Sequence, residues 1–174
     1  MRILTDYFAA PTDALAATVV REDEGPSTTA RGSGQPLFDT VRLPSIEPFV
    51  MIGTLAEVVC GLPYPEVTAH PRHGSLVVAA GDEGPWVVTV SDHLTAALAA
   101  ASPSRLADVA RRWSGAPELA WAPAGAVATA VLALGALAAR AADARHALYC
   151  WTRLPDAAPI GPPVGAPVRP RARS

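Results

Sequence analysis

Residues 147–154, Ala-Leu-Tyr-Cys-Trp-Thr-Arg-Leu, form an apolar run whose aromatic side chains favour a β-strand over further helix. A comparable run, residues 2–8, lies near the other end of the chain and stops before Pro11. Both runs are too short to be stable as unpaired strands. We therefore predict that these two terminal segments are neighbouring strands of one small sheet.

Between the terminal runs, the sequence predicts a hairpin and several helices. Residues 75–80 and 86–90 are β-prone and are joined by a Gly- and Pro-containing loop. Capping residues or prolines followed by an apolar stripe predict helices that begin near four residues, namely Thr12, Pro48, Ser91 and Pro103. With an Ala-rich helix near residues 119–139, these elements predict an α+β fold, in which a small mixed or antiparallel sheet packs with about five helices.

The chain divides by composition into one domain and a tail. Residues 1–154 contain the apolar patterns described above, and their number suits a single domain. Residues 155–174 include six prolines and end in a basic stretch with Arg169, Arg171 and Arg173. Because no core can form from this composition, we expect a Pro/Arg-rich disordered tail.

Charge and composition exclude some classes of partner. Charged residues make up 17% of the chain and the formal net charge is −2, so we expect no nucleic-acid partner.

The absence of lysine and asparagine beside 14 arginines is typical of a GC-rich bacterial genome. Asp6 follows Arg2 too soon for the apolar core of a signal peptide, and we expect a cytoplasmic protein.

Residues 119–139 carry no charge and are long enough to cross a bilayer as a helix. About half of them are alanine, which gains little from lipid, and Pro123 and Gly125 weaken the span further. Four apolar residues recur with helical spacing, namely Val127, Val131, Leu134 and Ala138. We predict a buried helix of a soluble protein, with membrane anchoring as the alternative.

The sequence contains no motif that predicts a catalytic residue, a metal site or a cofactor. Cys60 and Cys150 lack the spacing of a redox or zinc site, so we expect buried reduced thiols. His70 and His73 have the spacing of a ligand pair, but the intervening Pro71 and Arg72 disfavour a preformed metal site. An enzyme would need a site assembled from distant residues.

The few aromatic residues provide a hypothesis for a binding site. They amount to 6% of the chain, and several lie in the terminal strands or at the end of the helix that begins near Pro103. We predict that Trp113 is buried, and that core packing is the main role of these rings. The alternative is a shallow binding groove formed by five residues: Asp6, Tyr7, Trp113, Tyr149 and Trp151.

Three segments resemble a group of short uncharacterised actinobacterial proteins: residues 4–8 (Leu-Thr-Asp-Tyr-Phe), the helical residues 46–61, and residues 148–151 (Leu-Tyr-Cys-Trp). More distantly, the extended residues 87–90 running into a helix, and the Ala-rich helix before a final strand, are similar to the YfbM-like domain of unknown function. The resemblance covers residues 1–154. It implies a single α+β domain and assigns no functional residue.

From these observations we expect a small cytoplasmic, non-enzymatic interaction protein of the adaptor or immunity type. It would bind another protein through a helix face or through its aromatic edge. A small enzyme with a site assembled from distant residues is one alternative. A membrane-associated protein anchored by residues 119–139 is the other.

Overall fold

The computed structural model describes residues 3–81 and 84–154, and its sheet confirms the predicted pairing of the terminal strands. Five antiparallel strands lie in the order β2-β1-β5-β4-β3. Their bounds are β1 Leu4–Ala10, β2 Thr40–Arg42, β3 Leu76–Ala79, β4 Trp86–Thr89 and β5 Ala147–Arg153. β1 and β5 pair along their whole length at the centre of the sheet, from Leu4 opposite Arg153 to Ala10 opposite Ala147. The tail predicted at residues 155–174 lies outside the described residues.

Six α-helices accompany the sheet in the described residues, so the α+β fold class is confirmed. They are α1 Asp13–Ala16, α2 Val50–Cys60, α3 Tyr64–Thr68, α4 Asp92–Ala100, α5 Pro103–Trp113 and α6 Ala124–Ala144. The side chains of Thr12, Ser91 and Ser102 each accept a hydrogen bond from the backbone N–H three residues later, as expected of N-caps. The sequence did not predict β2 or α3.

Side chains alternate between the two faces of the sheet, and both faces of the central strands β1 and β5 are buried. Tyr7, Leu148 and Cys150 lie on the face that packs against a helical layer of α2, α4, α5 and α6. Phe8 and Trp151 lie on the opposite face, which is covered by residues 11–38. We call this second covering, which contains α1 and two short 3₁₀ turns, the loop layer.

α6 is the central helix of the helical layer and packs against α4, α5 and β1. The four residues of its predicted stripe are each at most 2% exposed, namely Val127, Val131, Leu134 and Ala138. A Cβ atom at Gly135 would lie 2.5 Å from Leu106 Cδ1, so any larger residue there would force the Leu106 side chain between α5 and α6 to move. α6 is long and apolar enough to cross a membrane, but buried helices of soluble proteins share that composition.

Candidate functional site

The five residues of the hypothetical aromatic groove do not come together. Tyr7 and Trp113 lie in the helical layer's core and are 0% exposed. The Tyr7 hydroxyl donates to the carbonyl oxygen of Ile46 at 2.9 Å, and Trp113 Nε1 donates to Thr54 Oγ1 at 3.0 Å. Their polar groups are thus satisfied inside the fold. Strand alternation places Tyr7 on the opposite face from its neighbour Asp6, so one shared groove is not formed.

Asp6 and Trp151, directly opposite one another in the β1–β5 register, line a cavity of about 430 Å³ that we call the polar cavity. Asp6 is 6% exposed and accepts a hydrogen bond from Ser27 Oγ at 2.7 Å. Burial raises the pKa of Asp6, against the lowering effects of Ser27 and of Arg42, whose Nε lies 3.6 Å from Asp6 Oδ2. The carboxylates of Asp23 and Glu24 also line this cavity.

Tyr149, on the same sheet face, joins a separate polar network. Its hydroxyl donates to Asp13 Oδ1 at 2.7 Å, and Arg72 donates to both oxygens of Asp13 at 2.9 and 3.2 Å. The Arg72 guanidinium also lies 5.6 Å from the centroid of the Tyr149 ring. Hydrogen bonds from Arg72 and then Tyr149 lower the pKa of Asp13. This network fastens α1 of the loop layer to the sheet and to the residues after α3.

Away from this network, neither cysteine has the environment of an activated nucleophile. Burial raises the pKa of the Cys60 thiol and raises that of the Cys150 thiol well above its ordinary value, which disfavours the reactive thiolate. The rings of His70 and His93 stack with their centroids 4.6 Å apart. No group of three or more potential ligands among the described residues is placed to hold a metal ion.

Replacing Tyr149 with phenylalanine tests the Tyr149–Asp13 contact through its pH dependence. Near neutral pH we expect a loss of about 1–2 kcal/mol, since Asp13 is half exposed. Burial, followed by the bond to Asp13, raises the pKa of Tyr149 from 10.0 to about 12. The contact therefore stabilises the fold fully below pH 10 and is lost as pH rises through 12.

The difference in unfolding free energy between wild type and Tyr149→Phe should therefore close between pH 10 and 12. Urea unfolding at a series of pH values measures it. If the difference stayed constant across that range, ionisation of the Tyr149 hydroxyl would not affect the stability of the fold.

A larger concave surface, of about 850 Å³, lies on the helical side and was not anticipated from the sequence. It is bounded by residues 42–46 after β2, residues 119–122 before α6, and the first two turns of α6. Its floor consists of side chains at most 7% exposed, namely Leu43, Ile46, Leu119, Val127 and Ala130. Its rim includes Ile3, Pro44, Trp121, Ala126 and Thr129. We call this surface the apolar groove.

The lining of the apolar groove combines small and large side chains. The first turns of α6 contribute Ala126 and Thr129, and Trp121 and Ile3 are among its larger lining residues. One wall is fixed by the backbone, since the Ser45 N–H donates to the Ile3 carbonyl oxygen at 2.9 Å. The groove is thus held in shape by the sheet that it borders.

Trp121 is the unusual side chain of this surface, because it is 59% exposed while Trp113 and Trp151 are at most 4% exposed. Leu132, three residues beyond Thr129 on α6, is 44% exposed. No charged residue occurs between residues 119 and 139, so this part of α6 presents no charge to solvent. The first charge beyond it, Arg140, pairs with Asp39 at 2.6 Å.

No protein-family model, curated protein or solved structure matches this chain, and the resemblance inferred from its sequence stays a prediction.

Proposed function

We propose that this chain is a small non-enzymatic interaction protein, of the adaptor or immunity type, whose apolar groove binds a segment of another protein. The observation that carries the proposal is Trp121, exposed over 59% of its surface at the rim of a groove of about 850 Å³. Tryptophan is among the residues that contribute most to binding at protein interfaces. Exposing it to water is costly unless it gains contacts in a complex.

The groove favours an extended, uncharged segment. Among the residues that line it, only Arg42 is charged, so a charged partner would lose hydration without gaining an ion pair along most of the groove. The floor residues are already packed into the core, so little reorganisation is needed on binding. An aromatic side chain beside a groove also suits proline-containing segments, whose backbone is already extended.

The other two functions receive less support from this geometry. Anchoring α6 in a bilayer would separate it from α4, α5 and β1, which it contacts through eight buried residues. Catalysis by the Tyr149 network would need a reactive group, yet Tyr149 has a raised pKa and Asp13 is held by Arg72. Binding in the apolar groove requires neither the displacement of α6 nor a reactive side chain.

A displayed peptide library panned on the wild-type chain tests the proposal. Enriched peptides would be synthesised and titrated against Trp121→Ala and against the double variant Ala126→Gln/Thr129→Gln, which fills the groove. We expect dissociation constants to rise at least about tenfold in both variants, because the central contacts are lost.

The matched control is Ala136→Gln/Ala142→Gln, two exposed positions of α6 that do not line the groove. Glutamine is a good helix former, so both double variants should keep the helix. Peptides that bound the wild type, the groove variants and the control with equal affinity would place binding elsewhere and refute the proposed function.

A further inference from the structure

We propose that the chain's own residues 155–174 cover the apolar groove in the free protein and compete there with the partner. This inference rests on the proposed function, because it names an occupant for the same groove. It gives the groove a regulator that is always present, since the segment is covalently attached. Three features of the chain favour this occupant: where the segment begins, its composition and its charge.

The segment begins beside the groove. Arg153, the last residue of β5, is opposite Leu4 of β1 and lines the polar cavity. The polar cavity and the apolar groove share Arg42 and Pro44 as lining residues, so the two are adjacent. The point at which the segment leaves β5 therefore lies near the edge of the apolar groove.

Its length and composition fit the groove. Twenty residues in an extended polyproline form would span roughly 60 Å, whereas two turns of helix are roughly 11 Å long. Between residues 157 and 168 the segment carries no charge and alternates prolines with Ile160, Val164 and Val168. These side chains suit the uncharged groove, and the prolines reduce the conformational entropy that docking removes.

The basic end of the segment has an acidic counterpart beside the groove. Arg169, Arg171 and Arg173 follow the apolar stretch, and the exposed carboxylates of Asp23 and Glu24 line the neighbouring polar cavity. A docked segment that turns back over its start would bring these opposite charges together. Tethering provides an effective concentration on the order of millimolar, so even weak intrinsic affinity suffices for occupancy.

The test uses the full chain and the four tryptophan indole N–H signals in its nitrogen–proton NMR spectrum. Trp121→Phe assigns the signal of Trp121. The double variant Ile160→Asp/Val164→Asp should release the segment, because carboxylates are costly to bury in an apolar groove. The matched control, Ile160→Leu/Val164→Leu, changes the same two positions but keeps them apolar.

We expect the Trp121 signal to shift in Ile160→Asp/Val164→Asp and to stay near its wild-type position in the control. Binding of the neutral dye Nile red gives a second readout. If the segment occupies the groove about three quarters of the time, its release should raise the apparent dye affinity about fourfold. Adding Ala126→Gln/Thr129→Gln to the released chain should remove that gain.

Other outcomes overturn the inference in distinguishable ways. If the Trp121 signal and dye affinity are the same with and without the segment substitutions, while groove substitutions still abolish dye binding, the groove is open in the free chain. The inference then fails and the proposed function stands. Dye binding that is unchanged by the groove substitutions refutes both this inference and the proposed function. A Trp121 shift that depends on protein concentration would show docking onto a second copy, which overturns coverage by the chain's own segment.

Discussion

Replacing Trp113 with alanine is expected to lower the free energy of unfolding by about 3–5 kcal/mol. The indole is 0% exposed and packs with the α5 stripe that also buries Leu106 and Val109. Truncation would leave a cavity and would remove the donor that reaches Thr54 Oγ1 at 3.0 Å. Because small domains are stable by only about 5–15 kcal/mol, much of the protein should be unfolded at moderate temperature.

Thermal unfolding followed by circular dichroism, beside the wild type, measures this loss. Trp121→Ala is the matched control, since the same truncation at a 59% exposed side chain should change stability by at most about 0.5 kcal/mol. If Trp113→Ala unfolded at the wild-type temperature while Trp121→Ala did not, the assignment of core and surface tryptophans would be reversed.

Replacing Gly25 with alanine should have the second-largest effect, a loss of about 2–4 kcal/mol. Gly25 has φ of +56°, which disfavours any side chain, and an added Cβ would lie 2.7 Å from two ring atoms of Trp151. The indole is 4% exposed and packs in the loop-layer core, so it has little room to retreat. The substitution should therefore weaken the packing of the loop layer against the sheet.

Gly32→Ala separates strain from collision, because Gly32 has φ of +82° but no atom within 4 Å of an added Cβ. It should lose only the cost of the backbone strain, roughly 1 kcal/mol. Denaturant midpoints of the two variants beside wild type give the comparison. Equal losses would mean that the Trp151 ring yields and that the close contact with Gly25 contributes nothing.

The sheet and the long helices were predictable because their signals are local. The terminal runs combine aromatic and β-branched residues, and the sheet pairs them as β1 and β5. Helix starts follow from Thr12, Ser91 and Ser102, whose side chains cap the helix by contacts within three residues. Such patterns depend on the chain near each residue and not on distant neighbours.

In the loop layer, helical spacing in the sequence does not predict which side chains are buried. Leu15 and Val19 have the four-residue spacing of one helical face, yet Leu15 is 47% exposed and Val19 is 0% exposed. The α-helix ends at Ala16 and continues as a 3₁₀ turn, Ala17–Arg21. Each residue of a 3₁₀ turn advances by roughly 120°, compared with roughly 100° in an α-helix, so the change of helix type turns Val19 away from the direction of Leu15.

The candidate site was only partly predictable. Asp6 and Trp151 do line one cavity, but strand alternation sends Tyr7 to the other face. The apolar groove combines segments distant in sequence: the residues after β2, the residues around Trp121 and the start of α6. Trp121 lies in an Ala- and Pro-containing connection outside any apolar stripe. Only the packed fold brings it to the same groove as Leu43 and Ile46.

The central pairing of β1 with β5 also sets the order in which the molecule can assemble. The helices between them can form from neighbouring residues, and α5 can pack on α6 early. The strand pair must instead close a loop of nearly the whole domain, an entropic cost that slows folding. β1 is synthesised first, but it cannot form its central pairing until β5 has been made. Because Ile3, which lines the apolar groove, directly precedes β1, a growing chain completes this groove only after its fifth strand is made.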